Sequence, residues 1–217
     1  MILKGAEFQV PRGSSRIPKA AVIDYGIGNL FSISCSLRKV GVDVDIVSAS
    51  QRVRDVDAVV LPGVGNFKAG SQNLMAFRQN ILGPVGNGVL LFGVCLGMQL
   101  LFEKSEESAG IGLGLLKGQV VRLPRQVKTP HMGWNTLRIS KPSSFLEGVN
   151  EKDYFYFVHS YYGTPSESDI VIAKTDYGLS FPSVVAQDNI YGTQFHPEKS
   201  GKLGQRVLAN LVAIIKR

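Results

Sequence analysis

Short, unbroken apolar runs alternate with stretches of helical periodicity along the first half of the chain. Ala20-Ala21-Val22-Ile23 is the first run, stopped by Asp24 and the glycine-rich turn Tyr25-Gly26-Ile27-Gly28-Asn29. Leu30, Ile33, Leu37 and Val40 then recur at spacings of three and four, which makes one apolar helix face, and Gly41 ends it. Residues 42–47 and 57–61 read as strands, 68–79 as a helix, and 88–94 as another buried strand. Apolar strands that do not alternate in polarity are buried on both faces. The pattern therefore predicts an α/β fold with a mostly parallel central sheet and helices on both faces. Function in such sheets gathers beyond the carboxyl ends of the strands. Two of those ends carry loops of special composition, Pro62-Gly63-Val64-Gly65 and Gly93-Val94-Cys95-Leu96-Gly97.

Past Gly110 the predicted elements turn β-rich: 119–123, 136–139, 154–162, 170–175, 183–187 and 191–195. These suggest hairpins and a mixed extension of the sheet. A final amphipathic helix carries Leu203, Val207, Leu208, Leu211, Ile214 and Ile215 on its apolar face, with Ser200 as its N-cap.

With 44% hydrophobic and 19% charged residues, the 217-residue chain has the composition of a folded globular protein. Its longest apolar run, 85–102, is interrupted by glycines, Asn87 and Gln99, and is not expected to span a membrane. The net charge of +7 raises the question of nucleic acid. Much of it, however, lies in Lys4, Arg12, Arg16 and Lys19 near the start, and the rest is spread thinly, so nucleic-acid binding is not expected. Val10-Pro11-Arg12-Gly13-Ser14 resembles an engineered protease-cleavage linker. Residues 1–17 are accordingly read as a leader outside the fold, and 18–217 as a single domain. Cys35 and Cys95 are too few and too isolated to suggest a disulfide framework, which fits a cytoplasmic protein.

Cys95 lies between an apolar strand and a helical stretch over 96–102. A nucleophile flanked by glycines at such a junction is lifted above the sheet, and the helix start beneath it favours a thiolate and offers the Leu96 N–H to an oxyanion. Such a cysteine needs a base, and Gln194-Phe195-His196-Pro197-Glu198 supplies one. Pro197 disfavours helix, so His196 and Glu198 are expected in an extended segment, projecting to one side, with Glu198 orienting the imidazole. The loop at Val64 and Gly65 can provide a further backbone oxyanion donor. No metal-ligand cluster is evident, and neither metal nor cofactor is expected.

These motifs resemble those of the class I, triad-type glutamine amidotransferases. Pro62 to Phe67, Pro130-His131-Met132-Gly133-Trp134-Asn135 and Tyr156-Phe157-Val158-His159-Ser160-Tyr161 are similar, more narrowly, to the glutaminase subunits of imidazole glycerol phosphate synthases. The resemblance runs from about Lys19 to the C-terminus and implies a flavodoxin-like amidotransferase architecture. It also implies Cys95, His196 and Glu198 as the catalytic triad, with Gly65, Gln99 and Glu107 holding glutamine. Glu107 is hard to separate from its neighbours Glu103 and Glu106. Pro62, Gly63 and Tyr156 fall where that family meets its partner, a separate (β/α)8-barrel cyclase, in a heterodimer. His131 and His159 are read as structural or interface residues.

Overall fold

The computed structural model describes residues 16–48 and 53–217, so the leader, apart from Arg16 and Ile17, lies outside the described residues. Arg16 pairs with Asp57 at the edge of the core.

The central sheet is built first from β1 (Lys19–Ile23), β2 (Asp43–Val47), β3 (Ala58–Leu61) and β4 (Leu90–Val94). β13 (Ile190–Thr193) joins β4 in parallel, pairing Thr193 with Val94. β12 (Ser180–Gln187), β11 (Val171–Asp176) and β8 (Arg138–Ile139) extend the sheet antiparallel. The order is β2-β1-β3-β4-β13-β12-β11-β8. β3 and β4 are buried along their whole length, as continuous apolar runs require. β2 instead has Asp43, Asp45 and Ile46 exposed, and it occupies the sheet edge.

Successive residues of these strands feed two cores. Ala20, Val22, Val60 and Phe92 pack with Ile33 and Leu37 of α1 (Leu30–Lys39) and with Val207, Leu208 and Leu211 of α5 (Gly201–Ile215). Ala21, Ile23, Val59 and Leu91 pack on the other face with Phe67 and Leu74 of α2 (Phe67–Leu74) and Ile81 of α3 (Arg78–Gly86). The helix expected over 68–79 is thus two helices joined by a tight turn at Met75–Phe77, which buries Phe77 with Ile81.

Three further expectations change in detail. The helix after Cys95 is a single turn, α4 (Leu96–Gln99), because Leu101 and Phe102 bond back to Met98 and Gln99 in three-residue turns. The strand expected over 154–162 is two, β9 (Tyr154–His159) and β10 (Tyr161–Pro165). β9 pairs with β7 (His131–Thr136), whereas β10 pairs with β6 (Gly118–Arg122), which in turn pairs with β5 (Lys104–Ser105). Ser200 stands at the start of α5 without capping it. Its hydroxyl donates to the His196 carbonyl and accepts from the Tyr156 N–H.

Candidate active site

β4 delivers Cys95 beyond its carboxyl end with a backbone φ of 54°, a left-handed conformation that a side chain tolerates only under constraint. The constraint is the neighbouring strand: the Cys95 N–H donates to the Thr193 carbonyl at 2.7 Å. That strand, β13, then runs on into Gln194, Phe195 and His196, so the parallel pairing of β4 and β13 brings residues a hundred apart in sequence to one strand end.

His196 is extended, but Pro197, Glu198 and Lys199 form one 3₁₀ turn rather than a continued strand. Proline at the first position of such a turn has its φ already set and needs no N–H. The turn folds Glu198 back, and its Oε1 lies 2.8 Å from His196 Nδ1, both side chains being buried. The carboxylate accepts from Nδ1–H, which leaves Nε2 as the working nitrogen. Nε2 is buried and has no hydrogen-bond partner among the described residues. Burial opposes charging of this imidazole, but the adjacent Cys95 sulfur and the Glu198 carboxylate outweigh it and push its pKa up to about 10.

One cavity opens above Cys95, and Val64, Gly65, Leu96, Gln99 and Glu107 all line it. The structure thereby separates three glutamates that the sequence could not. Glu103 accepts from the Gly118 N–H and Glu106 from the Arg122 N–H, both away from the cavity. Glu107 accepts from the Phe67 N–H at 2.6 Å, at the start of α2, and so is held against the wall. Gln99 donates to the Tyr161 carbonyl at 2.8 Å and to Gln194 Oε1 at 3.1 Å.

The loop after β3 divides in two. Pro62 and Gly63 are buried: the Tyr25 hydroxyl donates to the Pro62 carbonyl, and a Cβ on Gly63 would lie 2.7 Å from both Leu96 Cβ and the Gly97 nitrogen. The exposed part is Val64, Gly65 and Asn66, and Gly65 has φ +118°, a conformation open to glycine. Of the three positions expected at a partner surface, only Tyr156 is partly exposed. Its ring lies edge-on to exposed Trp134, with Lys199 Nζ 5.6 Å from its centroid.

Sequence reasoning passed over Gln194, which adjoins Cys95, and Tyr25, which anchors the loop. Gln194 stands two residues from His196, inside the same motif. The Tyr25 contact carries no local signal, since it joins loops from two strands.

Residues 21–215 match the family model for class I glutamine amidotransferases. The chain is similar to "Imidazole glycerol phosphate synthase subunit HisH" of Methanothermobacter thermautotrophicus, at 50% identity over 90% of this chain and 98% of the relative. The protein of the same name from Methanocaldococcus jannaschii is 46% identical over 89% and 98% respectively. In structure the chain resembles PurLQS from Thermotoga maritima, with a TM-score of 0.74 at 20% identity over 92% of this chain and 99% of that one. A glutamine amidotransferase from the same organism gives a TM-score of 0.70 at 13% identity, covering 93% and 99%.

Proposed function

The chain belongs to the class I glutamine amidotransferases, and on that premise we propose that it is the glutaminase subunit of an imidazole glycerol phosphate synthase, acting in the cytoplasm with a separate (β/α)8-barrel cyclase as its partner. The observation that carries this reading is the meeting of Cys95 at the end of β4 with a Glu198-oriented His196 at the end of β13, under a cavity of a size to admit a small amino acid.

Cys95 attacks the side-chain amide carbon of glutamine as a thiolate, and the oxygen takes up the charge against the backbone N–H groups at Val64, Gly65 and Leu96. The His196 imidazolium protonates the leaving nitrogen, so ammonia departs and a glutamyl thioester remains. His196, now neutral, takes a proton from water. The resulting hydroxide attacks the thioester, glutamate leaves, and the thiolate and imidazolium are restored. Gln99 commits both side-chain N–H groups to Tyr161 and Gln194, which leaves its carbonyl oxygen as an acceptor. With the Glu107 carboxylate it provides acceptors suited to the ammonium group of glutamine. Ammonia passes to the cyclase, where it is incorporated as imidazole glycerol phosphate forms.

Cys95→Ser tests this. The variant should keep the wild-type melting temperature and lose glutamine hydrolysis, while its complex with the cyclase still turns over on ammonium salts. Near-normal glutamate release by Cys95→Ser would refute the assignment.

A further inference from the structure

Gln194 is fully buried, and its amide bridges Cys95 and Gln99, two residues that line the cavity. Which end of that amide faces Cys95 follows from a chain of hydrogen bonds rooted at the Tyr161 carbonyl. A carbonyl only accepts, so the groups that reach it, Gln99 Nε2 at 2.8 Å and His159 Nδ1 at 2.9 Å, must both be donors. The second N–H of Gln99 then points at Gln194 across 3.1 Å, so Gln194 must present its Oε1 there. Its amino group is thereby turned toward Cys95, with Nε2 3.5 Å from Sγ.

The other branch is equally determined. With Nδ1–H of His159 donated to Tyr161, Nε2 must accept, and it does so from His131 Nδ1 at 3.0 Å. His131 Nε2 in turn accepts from Asn135 Nδ2 at 3.3 Å. Burial holds both rings neutral, with pKa values lowered to about 4 and about 3. The polarity of the whole chain is consistent from Asn135 to the sulfur.

The sulfur has a second neighbour, the Val158 carbonyl, 3.7 Å from Sγ. It can receive the S–H of a thiol but repels a thiolate. A side-chain N–H in contact with it is what a charged sulfur needs.

We propose that Gln194 is a positioning residue for the reaction: its N–H, aimed by Gln99, holds the Cys95 sulfur in its attacking orientation and supports negative charge on it. The support is needed twice, in the free enzyme and when glutamate leaves the thioester. The inference rests on the glutaminase reading above, but alkylation of Cys95 reports on it separately.

The test compares two variants of the full chain. Gln194→Met fills the space without a donor. Gln194→Glu still accepts from Gln99 but turns an oxygen toward the sulfur. A donor role predicts that both lower kcat by about 10- to 100-fold with KM changed by less than about threefold, the loss of one hydrogen bond to a charged group. Alkylation of Cys95 by iodoacetamide at neutral pH should slow in parallel, with Gln194→Glu the slower. If Gln194 only fills space and satisfies Gln99, Gln194→Glu will behave as wild type in both assays, and the proposal falls. A variant that does not fold, judged by circular dichroism, leaves the decision to the other. A wild-type chain that releases no glutamate even with a cyclase would count against the function instead, and alkylation would still judge Gln194.

Discussion

Cys95 and His196 form a coupled pair whose charge state depends on a third residue, Glu198. The carboxylate accepts from Nδ1–H and is one of the groups that raise the imidazole pKa to about 10, so at neutral pH His196 is a charged donor beside the sulfur. Glu198→Gln removes the charge and allows the amide to turn its NH2 toward Nδ1, which would force the proton to the wrong nitrogen. We expect kcat to fall by about 10⁴, as when a triad carboxylate is replaced by its amide. The His196 titration, followed by NMR, should move below its wild-type midpoint. An unchanged kcat would show that Glu198 serves only to hold the turn. The sequence named these three residues because their chemistry is local: a strand-end cysteine and a His-Pro-Glu segment each carry a recognisable pattern. It missed the 3₁₀ turn, since the expectation weighed what proline does to the residue before it rather than to the turn it begins.

At the scale of elements, the ribbon of β7 and β9 governs how the site is covered. The break at Ser160 sends β9 and β10 into different sheets, and Val158, His159, Ser160 and Tyr161 line the cavity as a result. No composition signal marks that break, because residues on both sides of it favour strand; the two competing partners, β7 and β6, decide it. Within the ribbon His131 stacks on Tyr177 with ring centroids 4.0 Å apart and bonds to His159. The pKa values of both histidines are lowered from 6.5 by burial, to about 4 and about 3. The unfolded chain therefore binds more protons below pH 6.5. Their contribution to stability is complete above pH 6.5 and is lost as pH falls toward 4 and then 3. The melting temperature should drop across that window, and replacing both with residues that do not titrate there (His131→Phe with His159→Gln) should flatten the drop. A wild-type melting temperature constant from pH 7 to 4 would contradict the buried neutral pair.

For the molecule as a whole, the working end of the sheet and an exposed aromatic pair are linked through backbone. The Tyr156 carbonyl accepts from the His196 N–H at 2.9 Å, and Tyr156 carries exposed Trp134 and Lys199 against its ring. Val64 and Gly65 line the cavity and, with Asn66, are exposed. A cyclase with bound nucleotide should therefore accelerate glutamine hydrolysis over the isolated chain, by about 10²–10³ if it completes one oxyanion donor. Gly65→Pro should blunt that acceleration while alkylation of Cys95 proceeds normally, since φ +118° is closed to proline. Gly63 is the poorer probe, because any side chain there strikes the turn that follows Cys95. Equal rates with and without the partner would remove this gating. The sequence by itself determined the α/β class and the strands that end at the site, and it singled out Cys95, His196 and Glu198 as the proposed triad, since each is written in nearby residues as periodicity or motif. Only the tertiary structure decided that β13 pairs with β4, that Glu107 rather than Glu103 or Glu106 reaches the cavity, and that Gln194 turns its N–H to the sulfur. Those outcomes depend on pairing and hydrogen-bond polarity between segments far apart in the chain, which no local pattern encodes.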